Sequence, residues 1–245
     1  MGIDLQDFEE RTSHAVQVFW DGRAAAMERQ RLNGVVDQGG RAGVTGGKNM
    51  DGFVTLIADL VAANGLADAK LYMTRGLNTL PGYFRPTKDW DLLVMREGVL
   101  IAAVELKSQV GSFGNNFNNR TEEAIGSAVD LWTAFREGAL GDQPAPFVGW
   151  LMHVENAPES TKPVRVAEPH FEVFSELQHT SYLERYEWLC RRLVLEKLYT
   201  EAALVVSTQR GGLNGEYGQM SEVTSFRRFV VGFAAHIAAE AALFN

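Results

Sequence analysis

The sequence predicts an α/β protein, a single domain over residues 1–245 in which helices flank a central sheet and further helices are added at both ends. Three observations predict it. Both ends of the chain carry apolar residues at helical spacing. In the middle, the apolar runs Leu92–Met95 and Val99–Val104 flank a polar Arg96-Glu97-Gly98 turn. Beyond them a helical pattern is followed by another apolar run, Phe147–Val154. At 245 residues the chain can bury one sizeable core, and 46% hydrophobic with 22% charged residues is ordinary globular composition.

Taken in order, residues 4–32 place Phe8, Val16, Phe19 and Ala26 at helical intervals, with Thr12 and Ser13 as interior capping candidates. Residues 37–48 are glycine-rich. A phosphate loop is excluded there, because Ala42 stands where the first glycine is needed, Asn49 replaces Ser or Thr, and no strand precedes it. No nucleotide cofactor is expected, and a loop touching DNA is the better reading. A helix over 50–63 ends at Asn64-Gly65; Asp51 at its start is either a cap or an additional metal acid. A strand over 69–74 leads through Gly76, Pro81, Gly82 and Pro86 into the hairpin. Residues 111–119 read as a polar Gly/Asn loop. A helix over 121–136 follows, its acids Glu122 and Glu123 suited to a helix start, with Glu122 close enough to that loop to serve the site. After the strand at 147–154, Pro158, Pro163 and Pro169 mark irregular chain. Helices over 181–205 and 222–243 complete the pattern.

No apolar run approaches the length of a membrane span, so no membrane partner is expected. The single cysteine, Cys190, lies in a helical pattern. It reads as a buried thiol in a reducing compartment, and a cytoplasmic location is the expectation. His153, His170 and His179 show no zinc spacing and take structural or surface roles. The net charge of −8 opposes nucleic acid only in bulk. Between Ala69 and Lys88 stand Lys70, Arg75, Arg85 and Lys88 with no acid, and between Leu106 and Arg120 stand Lys107 and Arg120, again with none. The basic stretches flank the hairpin.

That hairpin carries the chemistry. Glu105 and Lys107 are two apart, so in a strand both leave one face. With a three-residue loop at 96–98, Asp91 lies diagonal to Glu105 on that face, while Asp89 lies opposite it; a two-residue turn would reverse the face. Both acids have the same parity, and the choice between Asp89 and Asp91 stays open. Carboxylates suit a hard cation such as Mg²⁺, which binds one or two of them together with water and substrate phosphate. Lys107 would then orient water or stabilise negative charge. The pattern is that of a metal-dependent phosphodiesterase.

The segments Lys88-Asp89-Trp90-Asp91-Leu92-Leu93-Val94 and Ala102 through Ala124, with Gly47 through Phe53, resemble the XhoI-type restriction endonucleases of the PD-(D/E)xK superfamily. Pro86 is separated from both acids, so the usual Pro-Asp adjacency is missing. The resemblance implies a mixed sheet flanked by helices, with Asp91, Glu105 and Lys107 as catalytic residues and Asp91 and Glu105 as metal ligands. It implies a type II enzyme: a homodimer that makes Mg²⁺-dependent double-strand cuts in DNA at the palindrome CTCGAG and leaves 5′ overhangs. Given that chemistry, Lys88 and the run Ser108, Gln109, Ser112, Asn115, Asn116, Asn118, Asn119 and Arg120 are the expected DNA contacts, since Asn and Gln pair with adenine and Arg with guanine. Two other readings fit the residues: a structure-specific repair or recombination nuclease of the same superfamily, and a DNA-binding module without catalysis.

Overall fold

The computed structural model describes residues 2–5, 7–32 and 49–244. The glycine-rich stretch Gly39–Lys48, with its expected DNA-touching loop, lies outside the described residues. Helix α1 (Phe8–Leu32) buries Phe8, Ala15, Val16, Phe19 and Trp20, one stripe of its first half. Glu9 and Glu10 open it and Arg29 and Arg31 close it, each sign at the end where the helix dipole favours it. Thr12 is no cap: its hydroxyl donates back to the Phe8 carbonyl at 2.7 Å.

Helix α2 (Asp51–Ala63) packs on α1 through Gly52, where an added Cβ would stand 2.8 Å from the Ala15 Cα. Backbone meets backbone there, so nothing can rotate away. Gly52→Ala is expected to cost about 1–3 kcal/mol. In a thermal melt that reads as roughly 2–4 °C per kcal/mol for a chain of this size. Gly126→Ala, where a Cβ meets nothing within 4 Å, is the control and should melt no lower than the parent.

The remaining elements are β1 (Lys70–Tyr72), β2 (Thr79–Pro81), β3 (Thr87–Asp89), β4 (Leu92–Arg96), β5 (Val99–Gln109), α3 (Phe113–Arg136), β6 (Phe147–Glu155), α4 (Pro158–Thr161), α5 (Tyr182–Leu195), β7 (Glu201–Ser207), α6 (Gln209–Gly212) and α7 (Phe226–Phe244). Among the described residues these strands form a five-stranded sheet, β1-β4-β5-β6-β7, and a small β2-β3 sheet. The β1-β4-β5 pairs are antiparallel and the β5-β6-β7 pairs parallel, with α3 and α5 supplying the long connections that parallel pairing requires. Helices α1, α2 and α7 cover one face, packing on Leu92, Val94, Val104 and Leu106. Helices α3 and α5 cover the other, packing on Ala103, Trp150 and Met152. This is the predicted mixed sheet flanked by helices. Among the described residues no helix is long and apolar enough to cross a membrane.

Three local expectations are corrected. Residues 113–119 are not loop: α3 starts at Phe113, eight residues before the expected position, so Asn115, Asn116, Asn118 and Asn119 lie on a helix and Glu122 and Glu123 lie within it. Gly111 (φ 61°) and Ser112 (φ 45°) swing the chain into that helix, and Phe113 and Phe117 anchor it on Tyr182 and Tyr186. The helix expected over 181–205 stops at Leu195, and 201–207 is a sheet strand. Lys197 takes a left-handed φ of 58° while its N–H reaches the Val194 carbonyl and that of Leu198 reaches Leu193, a Schellman ending without glycine. In the hairpin, Arg96 pairs with Val99, so the turn has two residues, Glu97 and Gly98, both left-handed. A bulge then places Val94 opposite Ala102 and Met95 opposite Leu100, which leaves Ile101 as the extra residue. That one residue restores the parity the short turn would have reversed. The Ile101 carbonyl meets His236 Nε2 at 3.0 Å. The Gln143 amide satisfies both backbone groups of Leu100, at 3.1 and 3.2 Å.

Candidate active site

Because of the bulge, Leu92 pairs with Val104 and the Asp91 N–H donates to the Val104 carbonyl, which aligns Asp91 with Glu105 at the end of β4. The Asp91 Oδ2 accepts the Leu106 N–H at 2.7 Å. Glu105 and Lys107 leave β5 on the α3/α5 face, with Glu105 paired across to Trp150 of β6. Glu105 is buried and lies between two ammonium groups: Lys88 Nζ at 2.6 Å from Oε2, and Lys107 bonded to Oε1. Lys107 also stands 3.8 Å from Asp91 Oδ2 and 3.3 Å from Glu123 Oε1, and Glu123 in turn holds Arg120 at 2.7 Å.

The electrostatics follow from this cluster. Burial, and then the neighbouring Glu105, raises the Asp91 pKa above the usual carboxylate value, against the pull of Lys107 and the Leu106 N–H. Burial disfavours the Lys107 ammonium, but Glu105, Asp91 and Glu123 together outweigh it and hold its pKa above the ordinary lysine value. Lys107 is therefore a cation here. Two carboxylates whose mutual repulsion is already felt, backed by bound ammonium groups, fit a hard divalent cation. Among the described residues no group of three or more metal-type side chains is assembled, so water and phosphate oxygens would complete such a shell.

The other site candidates fall in several places. Asp89 belongs to β3 in the small sheet, opposite Thr79, and its carboxylate engages Thr79 and Arg75 (3.6 Å). Asp51 starts α2, in the layer on the opposite face of the sheet from Glu105. Glu122 is exposed on α3, whereas its neighbour Glu123 reaches Lys107. Glu123 is the residue that sequence reasoning missed. Had the helix been phased from Phe113, 100° per residue would have turned Glu122 away from the Phe113–Phe117–Ala124 stripe and left Glu123 beside it.

Among the expected DNA contacts, Lys88 joins the carboxylate cluster and lies 4.7 Å over the Trp90 ring. Ser108 points to the opposite face from Lys107 by strand parity. Gln109 is buried and donates to the Gly111 carbonyl. Ser112 is exposed before α3 and makes no side-chain cap. Asn116 and Asn119 bond back to the carbonyls of Ser112 and Asn115, at 2.9 and 3.3 Å. Asn115, Asn118 and Asn119 are exposed on the first turns of α3, and Arg120 faces inward to Glu123.

Outside the site, Cys190 is buried, and burial raises its thiol pKa. His153 is a buried core histidine, bonded through Nε2 to Ser207 Oγ at 2.7 Å. Burial, then Arg23, pushes its pKa down to about 3. The unfolded chain takes up this proton first, so the contribution of His153 is complete above about pH 6.5 and is lost as pH falls toward 3. Urea melts across that window should show a shallower loss of stability for His153→Gln, by up to about 1.4 kcal/mol per pH unit. Equal slopes in the two proteins would refute the neutral buried histidine.

The amino-acid sequence matches known proteins over most of its length. The family model for "Restriction endonuclease XhoI" matches residues 29–219. Type II restriction enzyme BstVI of Geobacillus stearothermophilus is 48% identical over 215 residues, 85% of this chain and 96% of the relative. Type II restriction enzyme XhoI of Xanthomonas vasicola is 54% identical over 199 residues, 80% of this chain and 79% of the relative. Type II restriction enzyme AbrI of Azospirillum brasilense is 56% identical over 172 residues, 70% of this chain and 77% of the relative. No solved structure matches. A mixed sheet that ends in a buried acid–lysine cluster, in a chain this similar to three restriction enzymes, belongs to the XhoI family of type II restriction endonucleases.

Proposed function

We propose that this chain is one nuclease domain that cuts both strands of duplex DNA at CTCGAG and leaves 5′ overhangs, acting with Mg²⁺ as a homodimer in the cytoplasm. The observation that carries the reading is the cluster of Asp91, Glu105 and Lys107 at the end of the β4-β5 pair. The hexamer rests on the resemblance to the XhoI-type enzymes, and the two-fold dimer on the symmetry of a palindrome.

Asp91 and Glu105 would hold the divalent cation, in preference to Asp89, whose carboxylate is engaged in the small sheet. When bound, the cation supplies Lewis-acid polarisation of the phosphate and a more acidic water. Lys107, bonded to Glu105 and beside Asp91, orients the attacking water and stabilises the charge that builds on the phosphate. Lys88 holds the second oxygen of Glu105 and so fixes that carboxylate's orientation. Glu123 holds Lys107 from the helix side. Exposed Asn115, Asn118 and Asn119 are the base-reading candidates.

Digestion of a sequenced plasmid in Mg²⁺, with sequencing of the ends, tests the whole reading. Discrete ends within CTCGAG carrying 5′ extensions are expected. Discrete ends at another palindrome would overturn the hexamer alone, and branch-dependent cutting would replace restriction with a structure-specific nuclease. Specific binding without metal-dependent cleavage would leave only a DNA-binding module.

A further inference from the structure

The loop between β2 and β3 presents two large aromatic side chains to solvent from an unusually well-built support. Tyr83 and Phe84 are 54% and 70% exposed, and their rings meet edge to face at 5.1 Å. Their backbone N–H groups both donate to one oxygen of Asp130, each at 2.7 Å, and Arg85 Nε donates to the other oxygen at 2.7 Å. Asp130 is buried on α3. A second arm of Arg85 reaches Ser127 at 3.3 Å, and the Gly82 N–H closes the loop on the Pro86 carbonyl at 3.2 Å. No side chain fits at Gly82, where a Cβ would lie 2.5 Å from the Arg85 carbonyl oxygen. A buried carboxylate with three donors fixes the loop, yet neither aromatic ring contributes to the core.

The loop is continuous with the site. It runs into β3, whose Lys88 holds Glu105 at 2.6 Å. Asp130 and Glu123 lie on the same helix seven residues apart, about 10 Å at 1.5 Å per residue. Of the four basic residues between Ala69 and Lys88, a stretch with no acid, Arg85 and Lys88 are taken up by Asp130 and Glu105, while Lys70 and Arg75 stay exposed and complement a phosphate backbone. Rigid aromatics beside basic residues are the chemistry that grips nucleic acid through its base and sugar surfaces.

We propose that loop 82–86 is a DNA-docking element, in which Tyr83 and Phe84 press on the base and sugar surface of the duplex beside the scissile bond. The inference rests on the restriction reading, which supplies the duplex. Tyr83→Ala and Phe84→Ala in the full chain should each weaken binding to a CTCGAG oligonucleotide duplex about tenfold, with larger loss in the double variant. The thermal midpoint should move little, because neither ring is part of the core. The slope of log Kd against log salt should also stay that of the parent, since no phosphate contact is removed. Phe84→Trp should bind like the parent. Unchanged affinity in both alanine variants, with a parent that binds and cuts the duplex, overturns the docking role and leaves the restriction reading standing. Light scattering that shows the variants losing a dimer at unchanged affinity also overturns it, by assigning the rings to a contact between copies. A parent that neither binds nor cuts the duplex overturns the restriction reading itself and the docking role with it.

Discussion

Glu105→Gln is expected to remove DNA cleavage, lowering the single-turnover rate by on the order of 10³-fold or more, about 4 kcal/mol of transition-state stabilisation. The side chain keeps its shape but loses the charge that holds two ammonium groups and, in the proposed chemistry, the cation. Stability should fall as well. Breaking a buried ion pair costs about 3–5 kcal/mol when the partner is left alone. The cost here is expected within that range: Lys107 retains Asp91 and Glu123, whereas Lys88 keeps the Asp89 carbonyl and the Trp90 ring but loses its carboxylate. Gel shift on the CTCGAG duplex separates the two effects: a folded variant that binds but does not cut is the expected result. Cleavage at the parental rate would remove Glu105 from the site.

Lys107→Met should lower cleavage by roughly 10²–10³-fold, the usual loss when a donor aimed at developing charge is removed. Binding of the duplex should change far less, by under about tenfold, because one lysine is a small share of the phosphate contacts. A variant in which binding and cleavage fall together would make Lys107 an ordinary DNA contact. The structure favours the first outcome, since Lys107 is half-buried among Asp91, Glu105 and Glu123.

What the sequence made legible follows the range of the interaction that decides each feature. Glu105 and Lys107 share a face because strand side chains alternate, a rule local to three residues. The partner of Glu105 depends on a bulge at Ile101, inside a run of Leu, Ile and Ala with no glycine or polar break to announce it. The start of α3 is hidden by residues that usually mark loops, Gly114 and four asparagines, and what overrides them is tertiary packing of Phe113 and Phe117 on α5. The end of α5 is hidden for the opposite reason: the left-handed position is Lys197, so the punctuation a glycine would give is absent. Strand β7 then reads as a continuation of the helix expected over 181–205, although Ala202–Val206 is the unbroken apolar run of a strand covered on both faces. Glu123 is hidden by the helix boundary, because at a helix start either acid suits the dipole, whereas within a helix the apolar stripe decides which acid faces the site.

The bulge at Ile101 also bears on how the chain finds its fold. If the hairpin slid by one residue, Glu105 and Lys107 would turn into the apolar layer of Leu92, Val104 and Leu106. Stranding charges there costs several kcal/mol each, comparable with the whole margin by which a protein is stable. The groups proposed to cut DNA therefore act long before any DNA arrives. They make the slipped hairpin untenable, and so protect the correct pairing against its nearest competitor during folding.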